Sequence, residues 1–249
     1  MRVLNFSRPT RAQSDIAASE RPVERPSKVP RQVEPTPLSP KYRGPPGKPS
    51  IEISGDSQVV CGWVNGSMSC FTKSLPTVMD SQNDLYELWK KDSIMPRHGA
   101  ADWLGHIFRE SNSAADSAAD IAASTGIPEL IRGFSADISV GETTAARICF
   151  DGTAGKINHH PSIGVVIDIS TIHQEQWSNA FTASIPLIEG ASSTQAELLA
   201  GSTAIKILKY WILNDKWPET PGMISPIQTS DMCFMHNEET NNPNKRPRI

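Results

Sequence analysis

Residues 146–154 read ARICFDGTA. The run Ala146–Asp151 is apolar and then meets Asp-Gly, which predicts a strand entering a turn. Ile163–Ile169 (IGVVIDI) and Ala180–Ile188 read as two further strands. Gly155 and Pro161 lie between the first two, as an antiparallel hairpin connection requires. Thr194–Leu213 (TQAELLAGSTAIKILKYWIL) follows as the longest helix, with the best apolar face in the chain.

Upstream, Ile51-Glu-Ile-Ser-Gly-Asp56 alternates and reaches a Gly-Asp turn, so a strand runs into a helix start over Ser57–Val64. Asn65-Gly66 stops that helix. Residues 75–91 carry Leu75, Val78, Leu85, Leu88 and Trp89 at helical spacing, with a Pro near the start. Trp103–Arg109 (WLGHIFR) reads as a strand and the Ala-rich Ser113–Ala123 as a helix. Residues 124–145 read as a connection, broken by Gly126, Pro128, Gly133 and Gly141. These elements together predict an α/β domain with a mixed central sheet flanked by helices.

The two ends differ from this body. Residues 1–49 hold half of the 20 prolines and few aromatics, as in ERPVERPSKVPRQVEPTPLSP, and read as a disordered basic tail of polyproline II character. Of 24 Lys/Arg and 27 Asp/Glu, this tail takes ten and four, which leaves 14 and 23 in the rest. An acidic body argues against phosphate binding over its whole surface. Residues 214–249 are mostly polar and read as a second, largely disordered tail, with Ile227–Met235 as one short strand candidate. The folded domain is therefore expected over 50–213.

Cys61, Cys70, Cys149 and Cys233 form no CxxC pair and have no metal-ligand spacing with the six histidines, which argues against a zinc site or a disulfide framework. No apolar run approaches the roughly 18 residues that a membrane span needs. The first residues lack a long apolar stretch, so a secretory signal is not expected. An intracellular site, nuclear or cytoplasmic, is expected. Arg and Ser near the N-terminus leave an organellar address open.

Four acids stand in contexts that suggest chemistry. Each has an ordinary explanation alone: Asp151 in a turn, Glu197 in a capping box with Thr194, Asp56 as a helix cap, Asp116 on a helix surface. Their contexts taken together are less ordinary. The stretches ICFDGTA (148–154), ASSTQAELLA (191–200), EISGDSQVVCGWVNG (52–66) and DWLGHIFRESNSAADSAA (102–119) resemble the ribonuclease H type 1 family, and HIFRESNSAAD resembles the domains found in retroelement polyproteins. The resemblance covers about 51–123 and 145–213.

The order departs from the family. There the DGT strand comes first and the GDSQ strand follows the Glu helix; here residues 50–123 precede residues 145–213. Two accounts fit: a circular permutant joined through 124–144, or fragments of two truncated tandem domains. Ser230-Asp231 is at best a remnant of a second GDSQ position.

The resemblance implies Mg²⁺-dependent endonucleolytic cleavage of the RNA strand of an RNA–DNA hybrid, leaving a 5′-phosphate and a 3′-hydroxyl. It implies two ions about 3.5–4 Å apart, with Mn²⁺ as a possible substitute. Asp151 would bridge both; Glu197 and Asp56 would hold one, and Asp116 the other. His106 would aid proton transfer or product release, against the plainer reading of a strand histidine. Ser193, Thr194 and Gln58 would contact the minor groove and the 2′-hydroxyls. Trp63 reads as core before it reads as a nucleic-acid contact. Lys73, Lys90 and Lys91 are the nearest candidates for a basic grip. A monomer is expected, without a membrane partner. The alternative is a catalytically inactive rearranged fragment, or a binding module with this fold.

Overall fold

A computed structural model describes residues 44–224, apart from 46, 72, 92, 97–102, 156–158 and 174–175. The strands are β1 (Ser50–Gly55), β2 (Met95–Pro96), β3 (Leu104–His106), β4 (Glu129–Arg132), β5 (Thr143–Thr153), β6 (Ser162–Thr171) and β7 (Ser178–Pro186). The helices are α1 (Gln58–Val64), α2 (Leu75–Lys90), α3 (Ser113–Thr125) and α4 (Ser193–Asn214), with short 3₁₀ turns at Arg109–Ser111, Val140–Glu142 and Pro221–Ile224.

The strands form one mixed sheet in the order β2-β1-β5-β6-β7-β4. β5, β6 and β7 run as an antiparallel meander. β1 lies parallel to β5, with Ser50 opposite Ala145 and Gly55 opposite Phe150. The other edge of β1 is shared: β2 pairs with Ser50 and Ile51, and β3 with Ile53–Gly55, both parallel. β5 is thus a central strand. Ala146, Ile148 and Phe150 are fully buried on one of its faces, while Arg147 and Cys149 on the other are half-buried.

The two faces of the sheet are packed differently. On one, the inward residues of β5 and β6 (Ile148, Phe150, Ile163, Val165, Ile167) meet α4, α1 and α2 in the main core. Lys209 of α4 reaches α2, donating to Asp84 at 2.6 Å and Glu87 at 2.9 Å. On the other face lies α3, whose Ala115, Ala118, Ala119 and Ala122 are buried. Gly164 makes this contact possible, since a Cβ there would collide with the backbone of Ala115 and Ala119. Alanine and glycine at these positions let helix and strand backbones touch. Further along this face a cross-strand row runs Glu52, Arg147, Asp168, Asn179. Trp177 caps it, with the Arg147 guanidinium 4.4 Å from its ring centre.

Three expectations change. Only Leu104–His106 of the segment 103–109 is strand, because β1 ends at Gly55 and leaves Phe108 and Arg109 without a strand to pair with. The connection 124–145 contains β4, a four-residue edge strand antiparallel to β7. The folded body runs past 213: Trp217 is buried and stacks on Trp211 at 4.7 Å and on Phe181 at 5.2 Å, and its indole N–H donates to the Ala136 carbonyl. The strand candidate 227–235, Ser230-Asp231 and residues 1–43 of the basic tail lie outside the described residues. Among the described residues, no helix is long and apolar enough to cross a membrane.

Candidate metal centre

The parallel register of β1 and β5 builds the site. Gly55 faces Phe150, so the next residues lie side by side near the carboxyl ends of neighbouring strands: Asp56 just past the end of β1, and Asp151 still within β5, two residues before its end. Strand carboxyl ends are where open α/β sheets hold ligands. Glu197 comes from the first turns of α4. Its position depends on Gly152, where a Cβ would collide with the backbone of Ala196 and Glu197. The glycine after Asp151 therefore serves close approach of α4 as well as the strand.

Carboxylate oxygens of Asp56, Asp151 and Glu197 lie within 4.8 Å of one another. Asp151 is 3% exposed. Asp56 Oδ1 and Glu197 Oε2 are buried with no hydrogen-bond partner. Unpartnered buried carboxylate oxygens are costly, and three carboxylates converging repel each other. Burial, reinforced by the charges of Asp56 and Asp116, pushes the Asp151 carboxyl up to about 7. Burial, reinforced by Asp151 and Asp56, pushes Glu197 up to about 9. A divalent cation would satisfy the orphaned oxygens and reverse this penalty, and hard carboxylate donors suit such an ion. The three acids fit a metal ion.

Asp116 stands at the rim. It does not join the three-acid group, although its charge is felt at Asp151. Its Oδ1 accepts from Arg109 Nη2 at 2.9 Å. His106 is exposed, and its Nε2 lies 3.1 Å from the Asp56 carbonyl, a bond the Nε2–H tautomer can donate. Ser193, Thr194 and Gln58 are exposed at the starts of α4 and α1. Trp63 is core, 4% exposed. Lys73, Lys90 and Lys91 are exposed at the ends of α2.

Both capping expectations shift by a residue or two. α4 is capped by Ser192 in a capping box with Gln195, not by Thr194 with Glu197. α1 is capped by Ser57, not by Asp56. Each correction frees an acid from a local duty and leaves it for the site.

Asn112 carries no role of its own in the sequence reading, where it is one letter of a motif. It precedes α3 as its N-cap, yet its side chain makes no cap bond. Instead it is 1% exposed and donates from Nδ2 to the Phe150 carbonyl at 2.9 Å and to Asp151 Oδ1 at 3.3 Å. It ties α3 to the acid-bearing strand and orients Asp151. An Asn at a helix start is an ordinary cap in sequence, so only its inward turn reveals the role.

No family model matches the chain, and neither a curated protein nor a solved structure matches it significantly.

Proposed function

We propose that the chain is a Mg²⁺-dependent nuclease of the ribonuclease H kind, which cuts the RNA strand of an RNA–DNA hybrid; Mn²⁺ is the expected substitute. The observation that carries this reading is the convergence of Asp56, Asp151 and Glu197, with orphaned buried oxygens, at adjoining strand ends. The sheet order supports it as well. An antiparallel meander whose first strand is flanked by a parallel strand is what the family resemblance implies, with the two halves of the chain exchanged. The pairing of β1 with β5 in one sheet favours a circular permutant over two separate fragments.

Under this reading Asp151, Glu197 and Asp56 would hold one ion, and Asp116 with Asp151 would hold the other. Bound divalent ions lower the pKa of an attacking water and neutralise charge on the leaving oxygen. The chain's own residues do the positioning. Asn112 fixes the rotamer of Asp151. His106, anchored to the Asp56 carbonyl, would aid proton transfer or product release. Ser193, Thr194 and Gln58 are exposed where 2′-hydroxyls would meet the site.

The test compares wild type with Asp151→Asn on a labelled hybrid in Mg²⁺. Wild type is expected to cleave only the RNA strand, and the variant to lose at least about a hundredfold in rate, as loss of a central electrostatic group does. Equal, negligible cleavage by both would favour the inactive or binding-only reading.

A further inference from the structure

Arg109 pairs with Asp116 at the rim of the acidic group. Its Nη2 holds Asp116 Oδ1 at 2.9 Å, and its charge is felt at Asp151, Asp56 and Glu197. Its side chain is nevertheless 75% exposed, and Phe108 next to it is 76% exposed. A guanidinium with that freedom is held by one partly exposed ion pair, a weak restraint that a competing ligand can displace.

Two facts make this pair unusual. First, a cation ligated by Asp116 would share that carboxylate with the Arg109 charge already held on its Oδ1, and two cations on one carboxylate repel each other. Second, the folded body is acidic, so a phosphate strand approaching the carboxylates meets repulsion unless a cation moves to it. Guanidinium binds phosphate in a two-point fork. The geometry points to Arg109 as an exchangeable counter-cation: it neutralises Asp116 when no metal is bound, and contacts a nucleic-acid phosphate once metal takes Asp116. This inference rests on the nuclease reading, which brings metal to Asp116 and nucleic acid to the site, and on the ion pair.

The two halves predict effects of opposite sign. In Arg109→Gln, Mg²⁺ titrated calorimetrically into the full chain without nucleic acid should bind about two- to fivefold tighter, the range such a pair supports. The same variant should show a higher KM for the hybrid, and its slope of log KM against log salt should fall by about 1, one phosphate contact. A merely structural arginine would weaken both. Arg109→Lys keeps the charge without the fork, and covers the case that glutamine unsettles the loop. It should keep the salt slope and change Mg²⁺ affinity less than about twofold. Wild type that binds Mg²⁺ and cleaves, with Arg109→Gln unchanged or weaker in Mg²⁺ affinity, would overturn this inference alone. Wild type that takes up no Mg²⁺ would overturn the nuclease reading and this inference with it.

Discussion

The two faces of the sheet use opposite packing. The α4 side is filled by large residues: Phe150, Phe181, Trp211 and Trp217 with isoleucines and leucines between them. The α3 side is a thin layer of alanines against Gly164, Val166 and Cys149. Burial of apolar area on the first face supplies most of the stability. The second face buries little, but it brings α3 so close that Asn112 reaches Asp151 and Asp116 stands at the rim. One face holds the fold together and the other sets the geometry of the acids.

Substitutions on each face should separate these roles. Trp217→Ala removes a stacked indole and is expected to cost about 3–5 kcal/mol in denaturant unfolding. Its Mg²⁺ affinity should stay within about twofold while the protein remains folded. A large loss of metal binding in the folded variant would break the division of labour. Ala119→Leu overpacks the thin layer and should cost less, about 1–3 kcal/mol. It should nevertheless weaken Mg²⁺ binding more than Trp217→Ala does, because α3 carries Asn112 and Asp116 with it.

The smallest effect concerns pH. Asp151 and Glu197 titrate higher in the fold than in the unfolded chain, at about 7 and about 9. Between their ordinary range and these values the folded state binds more protons, so stability falls as pH rises. The metal-free protein should lose about 1–2 kcal/mol from pH 5 to pH 9. A tenfold change in proton affinity corresponds to about 1.4 kcal/mol, and relaxation and water entry around the ionised carboxylates keep the total well below the rigid limit. Saturating Mg²⁺ should flatten that slope, since the ion replaces the protons. A metal-free protein that gains stability over this range would contradict the burial of the acids.

Much of the architecture is legible in the sequence because its signals are local. β5, β6, β7 and α4 are long periodic runs, and the motif contexts locate three acids that do converge. What escapes the sequence is decided by tertiary contact. β4 spans four residues between Pro128 and Gly133 and is mostly exposed, so it shows no alternation. Trp217 is one aromatic in a polar run, and only the stack with Trp211 and Phe181 gives it a place. Asn112 has the chemistry of a cap and the contacts of a ligand-orienting group. The capping box of α4 shifts because Ser192, Ser193 and Thr194 are interchangeable as caps in sequence, so the pattern alone does not choose among them.

The parallel pairing of β1 with β5 also bears on synthesis. Ser50 must wait for Ala145, so β1, α1 and α2 leave the ribosome before the strand that completes them exists. Such long-range pairing folds slowly, and a waiting strand edge invites association with other chains. At a translation rate of about 5–20 residues per second the exposed interval lasts several seconds. In a nascent chain of this order the edge of β1 that pairs with β5 therefore stays open until the second half arrives.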